Sequence, residues 1–278
     1  MSEEFFGDEG VQSLAEKHIE AIRSLEDREA ARILKLYKSV RGELRDRLDV
    51  VSGGSFTAQR VRGVLFQVEL GISELGKTLN TGMAPAAKEA AAKGVDDLAD
   101  EISKFSAIFT GAAVPIDINR AVIASDTSNF LINKYESSIG AYSEALRSRI
   151  TQGVSEAAVQ EVSMYETVQR IGKTFLGEEW RLNMIVRTEL HNVYSLGKLN
   201  TMKDLVQGKM PDLKKTLYHP MDNRTGKDTL RLAQNNPIVD VDEPFVENST
   251  GKRLVYMAPP NRPNDRAILI PYRDNWAK

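Results

Sequence analysis

The sequence has no cysteine. That excludes disulfide frameworks, thiolate zinc sites, iron–sulfur clusters and cysteine nucleophiles in one step. It is silent on redox compartment, because a chain without thiols tolerates either. Histidine is scarce, with 3 in 278 residues. His18, His191 and His219 never stand four apart, and no His-Glu-x-x-His occurs, so a helical metal site has no ligands to draw on. Structural roles or plain exposure account for them. Charge of one sign is also missing: 37 Lys+Arg face 39 Asp+Glu, a net charge of −2. Proteins that wrap nucleic acid carry a strong basic excess, so that class is disfavoured, although a local contact with DNA is not. No stretch approaches the roughly 18 apolar residues of a membrane span. The acidic opening, Met1 to Gly10, lacks the basic start and apolar run of a signal peptide. A protein that stays soluble where it is made is expected. There is no Gly-x-Ser-x-Gly elbow, and no acid–base carboxylate pair stands out from the Asp and Glu that decorate helix faces.

What the sequence has is helical rhythm. Val11, Leu14, His18, Ile22 and Leu25 recur at steps of three and four, and Ile33, Tyr37, Val40, Leu44 and Val51 continue them. This predicts one amphipathic helix of about forty residues. Gly53-Gly54 should break it. A second stripe runs Val61, Leu65, Val68, Ile72, Leu75 and Leu79, with a stop expected over residues 80–85 at Gly82 and Pro85. A third runs Ala87, Ala91, Val95, Leu98, Ile102, Phe105 and Phe109, where the alanine spacing suggests close helix approach. A fourth follows residues 111–115 and carries Asn119, Ile123, Leu131, Tyr135, Ile139, Tyr142, Leu146 and Ile150. Such seams fit long antiparallel helices packed at shallow angles, as in bundles and coiled coils. Polar residues in them, His18 and Asn119, read as register-setting.

Gly71-Ile72-Ser73-Glu74-Leu75-Gly76-Lys77-Thr78 satisfies the P-loop pattern letter for letter. The chemistry needs a strand before the loop and a helix starting at the lysine. Ile72 and Leu75 instead lie on the stripe of Val68 and Leu79, which favours one continuous helix and disfavours nucleotide binding.

From residue 151 the texture changes. Ser155 reads as the N-cap of a short helix through Val168, and Gly177 separates it from a helix that begins near Glu178. After Gly208 and Pro211 the rhythm stops. Short apolar pieces at Thr216–Tyr218, Ile238–Val241, Leu254–Met257 and Ala267–Ile270 predict a small antiparallel sheet with long loops. The expected fold class is mainly α: long antiparallel helices, then a small α+β C-terminal module. The expected divisions are a long-helical region over 1–115, a second helical part over 116–208 and a β-rich module over 209–278.

The informative segment is Arg187-Thr188-Glu189-Leu190-His191-Asn192-Val193-Tyr194-Ser195-Leu196-Gly197. On a helix Arg187, His191 and Tyr194 share a face, whereas Arg187 and Glu189, two apart, must reach separate partners. Downstream, Asp222-Asn223-Arg224-Thr225 is a polar turn after a strand, and Arg224 could clamp a carboxylate on the preceding helix. Surface and turn charge is the plainer account of both.

This order of elements resembles the phage head morphogenesis family, minor head proteins similar to protein F of phage Mu. In that family an Arg-Thr-Glu helix ends in an aromatic, small residues and a glycine, and a short strand, an Asp-x-Arg-Thr turn and a β-rich tail follow. The resemblance spans roughly residues 116–275. It singles out Arg187, Thr188, Glu189, Tyr194, Gly197, Asp222, Arg224 and Thr225 as structural motif residues, with no catalytic, cofactor or metal role. Where relatives carry a histidine and a Cys-rich segment, this chain has Thr229 and Tyr272-Arg273-Asp274-Asn275, so no metal is carried over. Phe245, Tyr272 and Trp276 are then the expected packing anchors. The resemblance implies a multi-copy minor capsid component, made in the host cytoplasm and incorporated into the virion near the portal. It would contact the portal or major capsid protein, with phage DNA as a further partner. Two other readings stand beside it: a helical adaptor or coiled-coil spacer outside any virion, and an enzyme. The enzyme would be a nucleotide hydrolase through Lys77 and Thr78 or a transferase built on Arg187 and Glu189.

Overall fold

A computed structural model describes residues 2–51, 57–116, 120–160, 162–220, 237–249, 252–260 and 265–276. Among these, helices α1 (Ser2–Gly7), α2 (Glu9–Val51), α3 (Ala58–Thr110), α4 (Arg120–Val159), α5 (Met164–Gly177) and α6 (Glu179–Gly208) precede short strands. The strands are β1 (Lys214–Tyr218), β2 (Val239–Asp240), β3 (Phe245–Ser249), β4 (Lys252–Tyr256) and β5 (Ile268–Tyr272). The class is mainly α with a small α+β C-terminal region, as expected. Among the described residues no helix is long and apolar enough to cross a membrane.

Helix α2 buries the predicted stripe at Val11, Leu14, His18, Ile22, Leu25, Ile33, Tyr37 and Leu44, whereas Val40 is half-buried and Leu48 takes a buried position that the stripe does not include. Asp8 starts the helix, its Oδ1 accepting from the backbone N–H groups of Gly10 (2.8 Å) and Val11 (3.2 Å), which satisfies donors that the first turn leaves open. Two expected boundaries are corrected. The stop over residues 80–85 does not occur, and α3 runs 53 residues with Pro85 inside it. Pro85 cannot donate to the carbonyl of Thr81 four residues back. On the adjacent residue the Arg32 guanidinium donates to the Gly82 carbonyl, while Gly82 lets Ile33 and Leu36 approach where a Cβ would lie 2.9 Å from each. Tertiary contact thus holds a helix that local propensity would end. Ser155 is likewise not a cap. It lies inside α4 with its hydroxyl donating to Thr151 O at 2.9 Å. The cap of α5 is Ser163, whose Oγ accepts from Glu166 N at 3.1 Å, and Ser163-x-x-Glu166 is the capping-box pattern that marks it in the sequence.

The chain forms two compact units, each assembled from separated segments. The first comprises Met1–Asp27, Ala86–Leu131 and Arg187–Lys278. Its sheet has the order β2-β1-β5, all antiparallel, with Lys214 opposite Tyr272 and Tyr218 opposite Ile268. β3 and β4 form a separate hairpin with Phe245 opposite Tyr256, so the single expected sheet is two. Phe5 anchors an aromatic cluster: its ring lies 5.3 Å from Tyr272, 5.5 Å from Phe105 and 6.3 Å from Trp276. Tyr272, Trp276 and Phe245, expected as anchors, are all buried.

The second unit comprises Arg28–Pro85 and Ile132–Val186. Its core is the meeting of apolar stripes: Ile33, Tyr37 and Leu44 of α2, Ile72, Leu75 and Leu79 of α3, Tyr142 and Leu146 of α4, and Phe175 of α5. Residues 71–78 are interior turns of α3 with Ile72 and Leu75 buried and Lys77 exposed. The P-loop letters therefore belong to a helix face, and Gly71 serves packing, since a Cβ there would meet Leu44 at 2.9 Å.

Candidate functional site

Within the first unit, α6 carries the motif segment as one continuous helix. From Leu190 to Met202 it is buried on nearly every side, although it includes His191, Tyr194, Ser195, Lys198 and Thr201. An unpaired polar group in an apolar interior costs on the order of 1–3 kcal/mol, and all of these but Ser195, whose Oγ meets no partner among the described residues, are paired.

Backbone proximity sets the frame. A Cβ at Gly94 on α3 would lie 2.2 Å from Tyr194 O, and one at Gly197 would lie 2.6 Å from Ala91 O. Only glycine fits at either position, so α3 and α6 cross with their backbones in contact. The alanine-rich spacing around Ala87 and Ala91 anticipates this approach, and the motif glycine Gly197 is half of it.

The crossing brings polar residues together. Lys198 and Glu101 are both fully buried. Lys198 Nζ donates to Glu101 Oε1 at 2.5 Å and to Leu269 O of β5 at 2.8 Å, and lies 5.4 Å from the centre of the Tyr194 ring. His18 Nδ1 reaches the same Glu101 oxygen at 2.8 Å, and its Nε2 lies 3.6 Å from Asp97 and 3.5 Å from Asp100. Tyr194 donates its hydroxyl to Asp97 at 2.9 Å. Burial, together with the charges of Asp97 and Glu101, pushes the Tyr194 phenol well above its ordinary value, so it remains a donor. One ionic seam thereby joins α2, α3, α6 and β5.

His191 makes a second knot. Nδ1 lies 2.9 Å from Glu26 Oε1 and Nε2 lies 2.7 Å from Ala267 O. Both neighbours are acceptors, so only the doubly protonated ring satisfies both contacts. Burial opposes that charge, but the hydrogen bond and charge of Glu26 and the Ala267 carbonyl outweigh it, and the imidazole is held above its ordinary range.

No family model, curated protein or solved structure matches the chain.

The geometry itself defines the candidate site. Beside His191 opens a cleft of about 390 Å³, lined by Arg23, Arg187 and Arg266 against Glu26, Asp27 and Asp265, with Thr188 at its wall. Arg187 pairs with Asp27 at 2.5 Å, and Glu189 accepts from Asn192 at 3.2 Å, so the two motif charges do reach separate partners. Three arginines and three carboxylates share the lining of the cleft, which suits recognition of a charged segment through paired ions. Tyr194 and Gly197 lie at the helix crossing. Asp222, Arg224 and Thr225 lie outside the described residues. So does Asn119. Among the described residues no group of three or more His, Asp or Glu is placed to hold a metal ion.

Sequence reading missed Lys198, Glu101, Asp97 and Glu26. The signal existed for the first: Arg187, His191 and Tyr194 continue at the same three-and-four spacing to Lys198. It also missed Lys215, buried in β1, whose Nζ donates to Val241 O (2.9 Å) and Met257 O (3.0 Å) and lies 5.1 Å from the centre of the Phe245 ring. Burial, with Lys203 nearby, lowers this ammonium to about 8.

Proposed function

We propose that the chain is a phage minor head protein, a structural component of the virion that acts in head assembly near the portal. The observation that carries the reading is the order of motif elements. An Arg-Thr-Glu motif closing on Tyr194 and Gly197 lies within a helix, then come a short strand, the sequence Asp222-Asn223-Arg224-Thr225 and a β-rich tail. The geometry is in keeping with a structural task for that helix. Its aromatic and glycine pack against α3, its arginine pairs with Asp27, and its lysine ties it to β5. Long amphipathic helices supply extended surfaces for neighbours in a particle. The portal or the major capsid protein is the proposed partner, packaged DNA a further one, and the chain is present in several copies.

Mass spectrometry of purified heads tests this. The chain should be recovered with the portal and major capsid proteins at a fixed stoichiometry, and disrupting its gene should lower the yield of filled heads. Heads of full composition and normal yield that lack the chain would sink the proposal.

A further inference from the structure

The second unit carries a groove of about 440 Å³ between α2 and α5. Its floor is apolar, formed by Leu44, Leu48, Val168, Ile171 and Phe175. Leu176, on the rim, is 57% exposed. Lys38, Arg41, Arg45 and Lys173 also line the groove, with Gln169, and among the described residues no carboxylate does. Glu179 engages Lys38 at 3.3 Å and also Arg41, and Asp49 lies 3.9 Å from Arg45. Lys173 has no ion pair among the described residues. Two glycines, Gly42 and Gly172, also line it, and a Cβ at either would meet nothing within 4 Å. Glycine inside a helix costs about 1 kcal/mol relative to alanine. At Gly94 and Gly197 internal packing demands it. At Gly42 and Gly172 nothing among the described residues does, and both leave room for another backbone to approach.

We infer that this groove docks an amphipathic helix of a partner protein, one with an apolar stripe flanked by Asp and Glu. The apolar floor takes the stripe, Lys173 of α5 meets a carboxylate on one flank, and Lys38, Arg41 and Arg45 of α2, which share Glu179 and Asp49, face the other flank with a net positive charge. Lining residues run from Lys38 to Leu48 along α2, about 15 Å at 1.5 Å per residue, which seats about ten residues of such a helix. A phosphate backbone would use the cations and leave the floor uncovered, and a bilayer surface would not enter a concave site. The inference concerns the second unit alone and does not rest on the virion reading.

The test uses the purified full chain and a fluorescent synthetic helix with a leucine stripe and glutamate flanks. Comparators are its lysine-flanked twin, duplex DNA, and vesicles of phosphatidylserine and phosphatidylcholine in equal parts. The acidic helix should bind and its twin should not, and Arg45→Glu with Lys173→Glu should weaken binding on the order of tenfold or more. Gly172→Trp should block the groove, whereas Gly172→Ala should keep binding and raise helix stability. The charge-reversed variant decides the matter if the tryptophan variant does not fold. Equal binding of both peptides, no binding of the acidic one, DNA or vesicles binding in its place, or sedimentation showing the groove filled by a second copy would each overturn it.

Discussion

The two units bury different chemistry. In the second, the interior is mostly leucine, isoleucine, valine and aromatic side chains along helix seams; its buried carboxylates Glu29 and Glu178 pair with the part-exposed Arg32 and Arg149, and pairs such as Arg47–Glu74 and Arg147–Glu69 lie at the solvent edge. In the first, Lys198, Glu101, His18, His191 and Lys215 are inside. Apolar seams are non-directional and tolerate swaps that conserve volume. A buried ion pair contributes little net stability against an apolar equivalent, yet losing one partner strands a charge. The first unit should therefore be the less forgiving of single polar changes, and the second the less forgiving of lost volume.

The sharpest break of that contrast is Lys198→Met. It leaves Glu101 buried with only His18 beside it, and we expect a loss of about 3–5 kcal/mol. Denaturant unfolding should show the loss, and hydrogen exchange should place it in residues 86–110 and 187–208. Adding Glu101→Met should return part of it, since both charges then leave together. The second unit has its counterpart in Leu75→Ala, which removes a fully packed side chain. About 2–5 kcal/mol should go, with faster exchange confined to that unit, whereas Leu75→Met should cost less than about 1.5 kcal/mol.

Acidity acts next within the first unit, by a smaller effect and with opposite signs at two buried groups. His191 is held above its unfolded value, so the stability it contributes is complete below about pH 6.5 and is lost as pH rises through the raised value. Lys215 acts with the other sign. Its folded value, about 8, lies below its ordinary 10.5, so its burial costs stability in full below pH 8, and the cost fades as pH rises towards 10.5. Urea midpoints against pH should show both limbs. His191→Gln should flatten the first and Lys215→Met the second. An unchanged profile in His191→Gln would mean that the ring does not carry the second proton.

Legibility in the sequence follows the same division. The long helices were plain because an apolar stripe repeats for many turns and each buried position repeats the signal. The stop wrongly expected at Gly82 and Pro85 shows the limit. Arg32 reaching the Gly82 carbonyl is a contact across fifty positions of chain, and no local propensity encodes it. At the candidate site the motif residues Tyr194 and Gly197 were legible as a pattern, but their partners Asp97, Gly94 and Ala91 were not, because acidic and small residues on α3 look like any solvated or flexible helix face. Lys198 was hidden by its type: lysine on a helix reads as exposed, and only the spacing from Arg187 argues otherwise. β3 was missed because Glu247, Asn248 and Ser249 break the apolar alternation after Val246.

The smallest expected effect tests the contrast from the other side. Arg47 Nη1 lies 3.0 Å from Glu74 Oε2, with the side chains 36% and 44% exposed. Water screens such a pair, and holding two long side chains in one geometry costs entropy, so a double-mutant cycle with alanine should give a coupling of about 0.2–1 kcal/mol that shrinks with added salt. The same cycle on Lys198 and Glu101 should give a coupling several times larger and nearly salt-independent, because solvent ions do not reach it. If the exposed pair couples as strongly as the buried one, exclusion of water is not what separates the two units, and the proposed fragility of the first would have to come from its glycine-tight helix crossing instead.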